Sequence, residues 1–162
     1  GIGQCRLYGV GVVGVVGGKM TRDEVELIQE GDDMDSWIAQ EVMGLARIDL
    51  GNANCPYCNS EMWHGKNRSR CTQCNEWRYS PYKDYSTDIA ASWEVVEKLM
   101  NDGFIYSSGG NDVCGNLVFS VTFIRDEDGS GEDVKKYYSG ITEYSLPLAI
   151  CRAALLAVME DK

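Results

Sequence analysis

Cys55-Pro56-Tyr57-Cys58 is followed, twelve residues later, by Cys71-Thr72-Gln73-Cys74. Each pair forms a tight knuckle whose two sulfurs aim at one centre, and four thiolates complete a tetrahedron around a zinc ion with no position left for substrate. The chemistry expected of this constellation is structural metal binding, not catalysis. A redox C-x-x-C would sit where a strand runs into a helix, whereas both pairs here lie among Asn, Pro, Gly and Ser, the residues of loops. Two disulfides are the other reading of the same residues, and the doubling of the motif favours a metal.

Around these cysteines the chain interleaves aromatic and basic residues: Trp63, Lys66, Arg68, Arg70, Trp77 and Arg78. Aromatic faces stack on bases and the cations meet phosphates, so this pattern suits single-stranded nucleic acid. It equally suits a protein-docking knob, and a lobe of thirty residues with little core also uses tryptophans to cover its metal. His64 is the only histidine. With four cysteines filling the shell it is expected at the surface, and its solitude removes most histidine-based acid–base catalysis. Asp88, Glu94 and Glu97 read as a solvated helix face, with Glu94 able to pair with Lys98 one turn on. Asp126-x-Asp128-x-Ser130-Gly131 starts like a calcium loop, but Tyr137 stands where the bidentate Glu belongs, so a solvated turn is expected. Tyr144 and Arg152 are an alternative pair, able to line a pocket for an anionic small molecule such as a nucleotide. No nucleophile–base pair and no open metal site is legible, so the expectation is a protein that is not an enzyme.

The chain has 162 residues, 44% of them hydrophobic, and a formal charge of −10. That length fits one ordinary domain with a small insertion. From Cys55 to Lys83 five basic residues face two acidic ones, a net +3, which leaves −13 for the rest. A zinc tetrathiolate centre contributes about −2 of its own. The acidic body should repel nucleic acid and membranes, so a polyanion would have to be met by the lobe's basic rim. Seven cysteines, four of them assigned to metal, suggest a reducing, cytoplasmic setting. Cys114 and Cys151 are expected as small buried hydrophobes. No apolar run approaches the ~20 residues that span a membrane.

Residues 1–19, rich in Gly and Val, differ in composition from the remainder of the chain. Gly9-x-Gly11-x-x-Gly14 lacks the strand and βαβ context of a dinucleotide fingerprint, and Gly18-Lys19 lacks both the first Gly and the Ser/Thr of a P-loop. Gly17-Gly18-Lys19 can be encoded as a purine-rich ribosome-binding sequence, so Met20 is expected to be the true start, and residues 1–19 to be poorly ordered.

From Met20 onward the elements follow from periodicity and caps. Thr21-Arg22-Asp23-Glu24 is a capping-box pattern opening a helix to about Glu30. A second helix runs through Val42, with Met34, Ile38 and Val42 on one face. Residues 52–80 form the ribbon, inserted in a body of residues 20–51 and 81–162. Ser86 or Thr87 caps a helix over Asp88–Asn101 whose apolar face is Ile89, Trp93, Val96 and Met100. A strand at Phe104–Ser107, a turn at Gly109-Gly110-Asn111-Asp112, strands over Val113–Arg125 and Val134–Ser139, and a last helix from Leu146 complete the order. In that helix Leu148, Cys151, Leu155 and Val158 share a face. The order predicts an α+β protein: a small α/β/α sandwich around a three-stranded antiparallel sheet, with an inserted four-cysteine zinc ribbon. Apolar residues on both sheet faces permit helices on both.

Tyr85-Ser-Thr-Asp-Ile-Ala-Ala-Ser-Trp-Glu-Val-Val-Glu-Lys-Leu99 and Pro147-Leu-Ala-Ile-Cys-Arg-Ala-Ala-Leu155 resemble the phage ABA sandwich domain family. Met34-Asp-x-x-Ile-Ala-x-Glu-Val-Met-Gly44 is similar to that family's opening helix. The resemblance implies a small phage or prophage protein in the host cytoplasm, with helices flanking a sheet, and implies no particular activity. The expected function is a non-enzymatic accessory protein with a structural zinc site that binds a host protein or nucleic acid through the ribbon. The alternative is binding or sequestering a small molecule, such as a nucleotide signal, with the sandwich body, in a homo-oligomer.

Overall fold

The structure is a computed structural model and describes residues 20–46, 54–64, 69–74, 77–78, 82–126, 135–143 and 145–160; at residues 63, 64, 69, 77, 78 and 141–143 the description is of the backbone. Residues 1–19 and 127–134, the latter holding most of the turn expected after Asp126, lie outside it.

Helix α1 (Arg22–Leu27) starts as its sequence directs. Thr21 Oγ1 accepts from Glu24 N–H, and Glu24 reaches back to the Thr21 N–H, the reciprocal capping box. Helix α2 (Asp32–Trp37) continues into a π-helical turn over Ile38–Val42. Met34, Ile38 and Val42 are buried along one face, as their spacing predicts. Helix α3 (Ile89–Asn101) is capped by Asp88, whose Oδ1 accepts from Ala90 N–H at 2.9 Å. The hydroxyl of Ser86, expected to serve the cap, instead accepts from Gly31 N–H at 2.8 Å, and Asp35 Oδ1 accepts from Ser86 N–H at 2.7 Å. These two bonds lock the start of α2 to the turn that leads into α3.

Three short strands, β1 (Met62–His64), β2 (Ser69–Cys71) and β3 (Trp77–Arg78), form the antiparallel sheet of the inserted lobe. The body's sheet has β4 (Ile105–Val113), β5 (Asn116–Asp126) and β6 (Lys135–Glu143), all antiparallel in the order β4-β5-β6. The chain ends in α4 (Leu146–Glu160). The α+β class and the three-stranded antiparallel sheet agree with the sequence.

The strand boundaries do not agree with it everywhere. Gly109-Gly110-Asn111-Asp112 lies inside β4, and the chain reverses at Cys114-Gly115. Both of those residues have positive φ (55° and 79°), the geometry of a two-residue hairpin turn that matches strand twist. Asp112 Oδ1 accepts from Gly115 N–H at 2.8 Å and secures the turn. Cys114 is therefore exposed at a hairpin tip, not buried in a strand. Gly110 keeps its place in the strand because Leu117 and Phe119 lean over it, with side-chain carbons 3.6–3.7 Å from where a Cβ would sit.

Helix α4 is the centre of the molecule. Every residue from Leu148 to Ala157 is buried, because the sheet covers one side of it and α1, α3 and the π-helical turn Ile38–Val42 cover the other. A helix apolar all round has to be enclosed in this way. At Gly140 the sheet and α4 approach so closely that a Cβ would lie 2.5 Å from Ala149 O and 2.7 Å from Ala153 N. Val121, Phe123 and Tyr138 fill the sheet face turned to the helices, and Phe104 meets Phe123 and Tyr138 edge-on.

Of the face expected for helix α3, Val96 turns inward and Ile89, Trp93 and Met100 do not. Ala91, Ser92, Val95, Val96 and Leu99 are buried, while Ile89, Trp93 and Met100 are about half exposed. Helix α3 packs on α4, and Ser92 satisfies its own hydroxyl by donating to Ile89 O. Trp93 keeps an edge contact with Tyr106, ring centroids 5.5 Å apart. The expected Glu94–Lys98 pair is replaced: Glu94 takes Lys83 at 2.7 Å, and Lys98 pairs with Asp102.

Candidate metal centre

The two knuckles are brought together by their own backbone bonds and by the pairing of β1 with β2. Cys55 N–H donates to Ser60 O and Asn59 N–H to Cys55 O, closing the first loop with Asn59 in the left-handed region (φ 57°). In the second loop Cys74 N–H donates to Cys71 Sγ at 3.2 Å. The register Met62↔Cys71 and the bond from Thr72 Oγ1 to Glu61 O (2.8 Å) join the loops across the strands.

The four sulfurs converge as the spacing predicts. Ligand atoms of Cys55, Cys58, Cys71 and Cys74 all lie within 4.8 Å of one another, with Cys58–Cys71 at 3.5 Å and Cys58–Cys74 at 3.3 Å. A disulfide needs S–S contact near 2 Å, so these are four free thiols. In a tetrahedral site with Zn–S near 2.3 Å, sulfurs sit about 3.8 Å apart, and the observed spacings bracket that value. Cys55 and Cys71 are buried with Met62, and Cys58 and Cys74 are exposed. This group can hold a metal ion.

The electrostatics prepare the site for a cation. Hydrogen bonds from the Ser60 hydroxyl and backbone lower the Cys58 thiol to about 6, which favours its thiolate. Its hydrogen bond to Cys58 raises Cys74 to about 12. A bound cation replaces that shared proton and deprotonates the ligand.

The lobe is tied to the body beside the cysteine cluster. Tyr57 OH lies 3.4 Å from Asp84 Oδ2 and 3.1 Å from Asp84 N, and Lys83 Nζ sits 5.7 Å from the Tyr57 ring centre. Tyr82 is buried, and its hydroxyl donates to Ala46 O, which joins the two chain segments on either side of the insertion. Sequence reasoning missed Tyr57, Asp84 and Lys83; the only signal was an aromatic residue placed between two ligands.

The aromatic–basic residues are partly in view. Arg70 is exposed on the central strand β2, where it is the partner of Trp63 on one side and Trp77 on the other. Arg78 falls in the neighbouring row with Ser69 and His64. Lys66 and Arg68 lie outside the described residues. Of the alternative pair, Tyr144 also lies outside them. Arg152 is buried, 8% exposed, and its Nη2 donates to Ile28 O at 2.8 Å, holding the end of α1 against α4. Burial pushes its guanidinium below the usual value.

No helix among the described residues is long and apolar enough to cross a membrane. A model of the phage ABA sandwich domain family matches residues 36–155, a span that includes the cysteine lobe. No curated protein and no solved structure matches the chain.

Proposed function

The chain belongs to the phage ABA sandwich domain family, and from that premise we propose a non-enzymatic phage or prophage accessory protein that binds a host macromolecule in the cytoplasm through its cysteine lobe. The metal in this reading is zinc. An all-thiolate tetrahedron is the preference of zinc or iron, and a four-cysteine shell leaves no coordination position for substrate. The ion then supplies folding energy to a lobe whose described core is Cys55, Met62 and Cys71.

The observation that carries the binding role is the register Trp63–Arg70–Trp77. Three short strands set an arginine between two tryptophans at one level of the lobe's sheet. Arginine flanked by aromatic residues is the composition of both nucleic-acid stacking platforms and protein hot spots. The basic rim stands on a body of opposite charge, so an acidic partner is drawn to the lobe and turned away elsewhere.

The test is recovery of the host partner by the tagged full chain, before and after nuclease treatment, with Arg70→Glu and Cys71→Ser alongside. The expected result is one zinc per chain in the wild type and in Arg70→Glu, loss of zinc in Cys71→Ser, and at least tenfold loss of partner in both variants. Nuclease sensitivity identifies the partner as nucleic acid, and resistance identifies it as protein. Undiminished partner recovery by Arg70→Glu overturns the binding surface. Full metal content in Cys71→Ser overturns the zinc site. A nucleotide-sized mass retained by the purified protein favours small-molecule binding by the body.

A further inference from the structure

The sheet of the body has two unequal faces. One is packed on the helices through Val121, Phe123, Tyr138 and Gly140. On the other, the register aligns four cross-strand rows, Ile105–Ile124–Tyr137, Ser107–Thr122–Ser139, Gly109–Ser120–Ile141 and Asn111–Val118–Glu143, with the Asp126–Lys135 pair beyond the first. Ile105 is 52% and Tyr137 59% exposed, and among the described residues no helix packs on this face.

We propose that this outer face is the contact between two copies of the chain, stacked sheet on sheet. Three observations select a second copy. The nine positions of the three central rows carry no formal charge, and the charged positions of this face, Glu143 at one end and Asp126 with Lys135 at the other, flank them, in a chain of which 25% of residues are charged and whose net charge is −10. Two such chains repel wherever acidic surfaces meet, and the central rows let them approach with charge confined to the two ends of the face. The hydroxyls of Thr122 and Ser139 bond each other at 2.8 Å, so the middle row keeps a hydrogen bond when water is removed.

The third observation is extent. Three strands of nine or more residues present a projected area of roughly 450 Å2, from a strand spacing near 4.8 Å and a rise near 3.4 Å. Side-chain relief raises the accessible surface of that footprint towards the ~600 Å2 per partner at which specific interfaces begin. A neutral pattern of Ile, Ser, Thr and Tyr is also compatible with a two-fold axis, in which one patch meets itself.

Sedimentation of the full chain over a wide concentration range tests this. The wild type is expected at twice the 18.0 kDa chain mass. Ile105→Lys with Tyr137→Lys places charges at two positions already exposed, so folding and Tm are retained while self-association weakens roughly a hundredfold or more. Leu27→Lys, on the exposed side of α1, is expected to remain dimeric. A wild type of single-chain mass throughout overturns the proposal, as does a double variant that still sediments as a dimer. A monomeric wild type whose β5 amides exchange faster once residues 1–19 are deleted also overturns it, and assigns the face to that segment of the same chain.

Discussion

The Tyr57 hydroxyl meets Asp84 twice, at the carboxylate (3.4 Å) and at the backbone N–H (3.1 Å). Tyr57 stands between two cysteines of the metal centre, and Asp84 begins the turn that leads through Ser86 to α3. One phenol thus joins the loop that a metal would order to the loop that anchors α3 on α2.

That link predicts coupling between metal and body. Chelation of the wild type should raise amide exchange at residues 84–87 several-fold as well as within the lobe. Tyr57→Phe removes both bonds and should destabilise the lobe–body contact by about 1 kcal/mol. It should also make residues 84–87 largely insensitive to chelation. Exchange mass spectrometry reads both effects, and a wild-type response confined to residues 54–78 refutes the coupling.

Asp35 predicts a pH dependence. Burial raises its carboxyl to about 6, opposed by the hydrogen bonds from Ser86 and assisted by Asp84 and Asp32. Between about pH 4 and pH 6 the folded state keeps a proton that the unfolded chain has released. This group's contribution is thus full below its unfolded value of 3.8 and is lost as pH rises through 6. Asp35→Asn should flatten that part of the stability curve. Asp35→Ala, which leaves the buried Ser86 N–H without its acceptor, should cost about 1–3 kcal/mol at any pH. Urea unfolding at pH 4, 5, 6 and 7 decides it: an Asn variant parallel to wild type across the window rules out Asp35 as the titrating group.

Gly140 predicts a steric limit. A methyl group there meets backbone atoms of α4 at 2.5 and 2.7 Å, which no rotamer change relieves. Gly140→Ala should therefore push α4 off β6 and cost about 1–3 kcal/mol or more. Gly109, in the same sheet but with open space around its Cβ position, should accept alanine at little cost. Thermal unfolding of the two variants side by side checks this, and equal Tm values would show that the sheet yields at Gly140.

Much of the fold was legible where local chemistry decides it. The capping box at Thr21–Glu24 and the Met34–Ile38–Val42 face need only neighbouring residues. The hairpin turn was misplaced because Gly-Gly-Asn-Asp looks more like a turn than Cys114-Gly115; nine paired residues and the side chains leaning over Gly110 outweigh that preference. The inward face of α3 was caught only at Val96 because two apolar stripes compete on it, and packing against α4 chooses between them.

What the sequence determined by itself is the donor set: two Cys-x-x-Cys knuckles give the type and number of sulfurs in a group that can hold a metal ion, while the pairing of β1 with β2 brings the two knuckles together. What only the tertiary structure decided is everything that depends on partners far along the chain. Arg70 stands between Trp63 and Trp77 because strands pair in one register, Tyr57 reaches Asp84 because the lobe folds back on the body, and Arg152 is buried beneath Ile28 because α4 is the enclosed helix. Those placements come from packing and pairing between distant segments, which no local pattern encodes.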